Sequence, residues 1–141
     1  MKQFVSLLFF MLSFLLVTLS CKGQASITSI STPTSTRSAS RAISEAISDV
    51  ATNYYRAITK QNYMLAYTYL DAGATKLSLE AFTQEAQLHD KGEGKVQSYT
   101  VAAFPPIVVM TNMRVNVGPY HVHLQFRQEG NSWKIVSLDG I

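Results

Sequence analysis

The sequence predicts an α+β fold, with helices packed on one face of an antiparallel β-meander. Three observations predict it. Apolar residues recur at three- and four-residue steps in the first part of the domain, the period of a helix with one buried face. From Lys95 onward they alternate, the period of a half-buried strand. The strands are separated only by short turn-rich breaks, so neighbours in sequence pair antiparallel and the helices gather on one side.

Ile43, Ile47, Val50, Tyr54 and Ile58 define the first helix, expected over Ser44 to Lys60, with Glu45, Asp49, Asn53 and Arg56 largely opposite. Gln61-Asn62 breaks the pattern, and Asn62 is placed to cap a shorter helix from Tyr63 to Leu70, ended by Asp71-Ala72-Gly73. Ser78 opens a third helix as N-cap, with Glu80 near the positive end of its dipole. Leu79, Phe82, Ala86 and Leu88 supply the apolar side, and Gly92 is the expected left-handed stop after Lys91. Strands follow at about Lys95–Phe104, Ile107–Val117, Tyr120–Gln128 and Ser132–Asp139, punctuated by Pro105-Pro106, Gly118-Pro119 and Glu129-Gly130-Asn131. In the third, Tyr120, Val122, Leu124 and Phe126 face one way and His121, His123, Gln125 and Arg127 the other.

Residues 41–141 thus form one domain of about a hundred residues, a common size and large enough to fold without staples. What precedes it reads as export machinery. Lys2 stands before an uncharged run rich in Leu and Phe, from Phe4 to Leu19, that stops at Ser20, which makes 1–20 a signal peptide. An uncleaved anchor is the competing reading, but the run sits just short of the ~17–25 apolar residues of a span. Residues 21–40, rich in Ser and Thr, have no apolar periodicity and are expected to be a flexible linker. The formal charge of +3 is too slight to imply a nucleic-acid partner.

Cys21 is the chain's single cysteine, so it cannot form an internal disulfide and is free, intermolecular or modified. Thr18-Leu19-Ser20-Cys21 resembles a bacterial lipoprotein lipobox, although Thr18 stands where that motif usually has Leu. The resemblance implies diacylglycerol on the Cys21 sulfur, an amine acylated by a chain such as palmitate, and a domain held extracytoplasmically at the cell membrane. Several acyl chains at ~0.8 kcal/mol per buried methylene anchor firmly. A chance cysteine after an ordinary signal is the alternative.

The stretch from Asn53 to Leu70, with its Tyr63-Met-Leu-Ala-Tyr67-Thr-Tyr-Leu70 segment, resembles the helical opening of small NTF2-like (cystatin-like) domains of bacterial lipoproteins. Leu77-Ser78-Leu79-Glu80-Ala81-Phe82 is similar to their next helix start, and Gly130-Asn131-Ser132-Trp133-Lys134-Ile135-Val136 to their last hairpin. The resemblance implies a curved sheet wrapped around helices, often with a pocket between them. Many such domains are non-enzymatic, whereas others are isomerases, dehydratases or cyclases, so fold alone does not choose.

Candidate chemistry is sparse. His121 and His123, at i and i+2 of a strand, share a face and are weak candidates for one metal ion, with His89, Asp90 or Glu93 as a third ligand. The simpler reading is two polar residues on the face away from the core. Tyr54, Tyr55, Tyr63, Tyr67 and Tyr69 crowd the first two helices, and a Tyr hydroxyl can stabilise an oxyanion. Neither Asp71 nor Asp139 pairs with one of them as an evident base, so no catalytic residue is assigned and ring packing is favoured. Arg114, Arg127 and Lys134 are expected to share the polar face of the sheet as a solvated basic patch. There is no glycine-rich phosphate loop and no CxxC, and no cofactor is implied.

The expected function is therefore a non-catalytic, membrane-tethered module for a small ligand or an envelope protein. An isomerase or hydro-lyase for a small apolar substrate is one alternative, requiring a deep cavity where Tyr and a carboxylate converge. Homodimerisation through the face bearing His121 and His123 is another.

Overall fold

The computed structural model describes residues 34–141, of which four helices and four strands form an α+β domain. The signal segment, Cys21 and the linker up to Pro33 lie outside the described residues.

Helix α1 spans Thr34–Thr59 and begins ten residues before the expected start. The expected linker therefore yields residues 34–40 to the helix. Residues 36–43 are exposed, so this stretch has no buried face and leaves no period in the sequence. Once a packed helix is nucleated, adding Ser, Ala and Arg residues to its end is easy, and Arg41 Nε meets Glu45 Oε1 at 2.8 Å, one turn on. Of the expected apolar face, Ile47, Tyr54 and Ile58 are buried, Val50 is half-buried and Ile43 is exposed, while Ala51, Tyr55 and Ala57 are buried beside them.

Gln61, at φ 55, turns the chain, and the Asn62 side chain accepts from the Leu65 N–H to cap α2, Tyr63–Tyr67. This helix stops short of Leu70 because the backbone is claimed elsewhere. The Ile135 N–H donates to Tyr69 O (3.0 Å) and the Asp71 N–H to Ile135 O (2.8 Å), so Leu70 forms a parallel bridge to Ile135. A one-turn helix α3, Ala72–Thr75, follows where only a stop was expected; the Asp71 carboxylate caps it by accepting from Gly73 and Ala74.

Helix α4, Leu79–Gly92, starts at Ser78, whose Oγ accepts from the Ala81 N–H. Phe82 and Ala86 are buried as expected, but Leu79 and Leu88 are exposed. The left-handed residue is Gly94 (φ 84) rather than Gly92, and a Cβ there would lie 2.8 Å from Val115 Cβ.

Strands β1 (Val96–Phe104), β2 (Ile107–Arg114), β3 (Gly118–Glu129) and β4 (Ser132–Leu138) form a curved antiparallel meander in the order β1-β2-β3-β4. The Pro105-Pro106 bond in the first turn is cis. Val108, Met110, Val122, Leu124, Phe126 and Ile135 line the inner face against the helices. Strand β2 ends at Arg114 rather than Val117, and its inward alternation continues through Asn112 and Arg114, both buried.

Candidate functional site

The sequence-predicted site residues separate. His121 and His123 project from the outer face of β3, both exposed. His121 Nδ1 lies 3.0 Å from Thr111 Oγ1, its cross-strand neighbour, and His123 Nδ1 lies 2.7 Å from Asp139 Oδ2. The third ligands considered for a metal are engaged elsewhere: Asp90 binds Arg114, and Glu93 sits 3.2 Å from His89 Nδ1. Among the described residues no three His, Cys, Asp or Glu side chains are grouped to hold a metal ion.

Arg114 is not part of a solvated basic patch. Its guanidinium is buried between α4 and the sheet, donating to Asp90 Oδ1 (2.7 Å), Gly94 O (2.7 Å), the Ile141 main-chain oxygen (2.6 Å) and Tyr120 Oη (2.8 Å). Asp90 Oδ2 also accepts from Tyr63 Oη at 2.6 Å and Gln61 Nε2 at 3.0 Å. Burial opposes the guanidinium charge, but Tyr120 and Asp90 outweigh it and hold the group above its ordinary value. Burial, then the bond to Asp90, pushes the Tyr63 hydroxyl up to about 12. These contacts make the cluster a structural tie between α4, β2 and β3. The sequence signal was the alternation itself, since Val108 and Met110 facing inward put Asn112 and Arg114 inward too.

Arg127 and Lys134 alternate with the buried Phe126 and Ile135 and are each engaged. Arg127 pairs with Asp71 and Glu129, and Lys134 Nζ donates to Thr68 O at 2.6 Å. Asp71 is held below its ordinary value chiefly by the Ala74 N–H, with Arg127 adding to it.

The tyrosines fill the space between helices and sheet. Tyr54 and Tyr55 are fully buried and meet edge-to-face at 5.2 Å, while Phe82 packs against Tyr54 and Tyr67 at 6.3 and 5.8 Å. Tyr67 donates to Leu77 O and Tyr55 accepts from Asn112 Nδ2. Burial holds the Tyr54 and Tyr55 hydroxyls well above their ordinary value, so both remain protonated. Asp71 and Asp139 face Arg127 and His123 rather than any of these rings.

The concave surfaces lie outside this packed interior. One cleft of about 340 Å³ runs between α3 and β4, lined in part by Thr75, Glu85, Ser137 and Asp139. A wider one, about 510 Å³, lies between Ala46 and Val50 of α1, Tyr69, and the start of β4 at Ser132 and Trp133. Its walls are fixed by the backbone bonds between Tyr69, Asp71 and Ile135 and by the Lys134–Thr68 contact. Gly130, at φ 58, sets the two-residue turn that carries Asn131 to its rim. This cleft was not legible beforehand, because Tyr69 and Trp133 are 64 residues apart and are brought together by the Leu70–Ile135 bridge and the Lys134–Thr68 contact. No family model matches the chain, and no curated protein or solved structure matches it either.

Proposed function

We propose that the chain is an exported lipoprotein, held at the cell membrane by lipid on Cys21, whose NTF2-like (cystatin-like) domain binds a small ligand or an envelope protein without catalysing a reaction. The tether is supported by the order Lys2, apolar run, Ser20, Cys21. The observation that carries the binding role is the aromatic packing of Tyr54, Tyr55, Tyr67 and Phe82, which leaves ligands the peripheral clefts rather than the space beneath the helices. The intact mass of protein extracted from membranes tests the tether. The mature chain should begin at Cys21 and carry lipid, and Cys21→Ala should lack it; an unlipidated mass in both overturns this reading.

A second reading draws on the outer sheet face, where Phe104, Ile107 and Met113 are exposed on the side bearing His121 and His123. It makes that face a homodimer interface. Sedimentation of the full chain should then show a concentration-dependent dimer that Ile107→Lys dissociates, and a monomer at every concentration ends it.

A further inference from the structure

We propose that the cleft between Tyr69 and Trp133 is a saccharide site that takes a neutral sugar ring or short oligosaccharide. Its volume of about 510 Å³ lies within the usual range of ~300–1,000 Å³ for small-molecule sites. Tyr69 and Trp133 are half-buried, each packed against the core yet lining the cleft, and Ala46 and Val50 complete the apolar part of its wall. The spacing of the two aromatic residues is set before any ligand arrives. Tyr69 O accepts from Ile135 N–H at 3.0 Å, Asp71 N–H donates to Ile135 O at 2.8 Å, and Lys134 Nζ holds Thr68 O at 2.6 Å. Binding therefore orders little, which removes one of the main costs of association.

The chemistry of the lining selects the ligand class. Lys134 is the single charged residue among the lining side chains, and its ammonium is already engaged. An ionic ligand would lose hydration there with little in return. Trp133 and Asn131 bring an indole N–H and a side-chain amide to the lining, so an aliphatic ligand would cover two polar groups without satisfying them. A sugar ring matches both halves of the cleft, with C–H faces for the aromatic rings and hydroxyls that donate and accept at the rim. A proline-rich peptide also stacks on aromatic grooves, but its imide backbone offers acceptors alone and leaves the Asn131 carbonyl without a donor.

Trp133 is the chain's single tryptophan, so its emission reports on this cleft and on nothing else. The full chain, in a zwitterionic detergent without a sugar headgroup, would be titrated with tetrasaccharides of N-acetylglucosamine and of glucose, and with decaproline. At least one tetrasaccharide should give a saturable change in emission. Asn131→Ala, in an exposed turn, should weaken that binding about tenfold, the loss expected for one hydrogen bond to a ligand. Tyr69→Leu, which keeps an apolar side chain against the core, should abolish it. No saturable change with either sugar, a response to decaproline in their place, or unaltered affinity in Asn131→Ala overturns the proposal. The inference rests on the binding-module reading but not on the tether. A lipidated chain that ignores sugars overturns the saccharide site alone, and a sugar-binding chain without lipid overturns the tether alone.

Discussion

The two faces of β3 carry similar polar chemistry in opposite surroundings. On the inner side, Tyr120 joins Arg114 and Asp90, whose side chains are 0% and 8% exposed. On the outer side, His123 and Asp139 sit at the same 2.7 Å separation with side chains 55% and 56% exposed. Distance is thus no guide to consequence. In the interior each charge needs its partners because water cannot replace them, whereas at the surface water substitutes for either one. The inner cluster ties four segments together, through Gln61 and Tyr63, Asp90 and Gly94, Arg114 and Tyr120, and Ile141. The outer pair joins β3 to the residue just past the end of β4, and those two strands already share a ladder.

The contrast is broken most forcefully at Arg114. Arg114→Met should lower the stability of the fold by about 3–5 kcal/mol, because it leaves the Asp90 carboxylate without its counter-charge and takes a donor from the Gly94 and Ile141 main-chain oxygens. Urea unfolding measures the loss. Adding Asp90→Asn should recover part of it, since an amide needs no counter-charge. A double variant no more stable than Arg114→Met would show that the stranded carboxylate is not the source of the penalty.

A smaller effect sharpens the same point within the core. Tyr55 Oη accepts from Asn112 Nδ2 at 2.8 Å, while the Tyr54 hydroxyl and Asn112 Oδ1 are buried without a partner among the described residues. Tyr55→Phe should cost about 1–3 kcal/mol by orphaning a buried amide. Tyr54→Phe removes a hydroxyl that gains nothing from its surroundings and should be neutral or stabilising by thermal unfolding. Equal losses in both would mean that the Tyr54 hydroxyl has a partner, such as an enclosed water.

These residues also mark where the sequence was legible. The period of three and four placed Ile47, Tyr54 and Ile58 correctly, Ser78 and Asn62 announced their helices, and the meander followed from its turns. Such features are local, depending on spacing along one element. Arg114 defeats the expectation because its charge suggests solvent where the period of the strand points inward. The early start of α1 left no trace because an exposed Ser-Ala-Arg segment has no periodic signature. The Tyr69–Trp133 cleft and the Arg114 cluster are assembled from distant segments, and no spacing in the sequence encodes those meetings.

The least change is expected on the outer face. Burial alone would raise the Asp139 carboxyl, but the His123 main-chain N–H and imidazole outweigh it and hold the group below its ordinary value. A folded pKa below the unfolded value of about 3.9 means that the ionised form favours the fold. That contribution is complete above about pH 5 and disappears as the pH falls through the folded value. Asp139→Asn keeps an oxygen for the His123 N–H and removes only the charge, so at neutral pH it should cost ~0.2–1 kcal/mol, as exposed pairs do. Wild type and variant should converge once the pH falls below the folded value, where the carboxyl is protonated in both states of the wild type. Urea midpoints followed from pH 7 down through the acid range test this, and a gap that does not shrink at all as the pH falls would show that Asp139 acts through its shape rather than its charge.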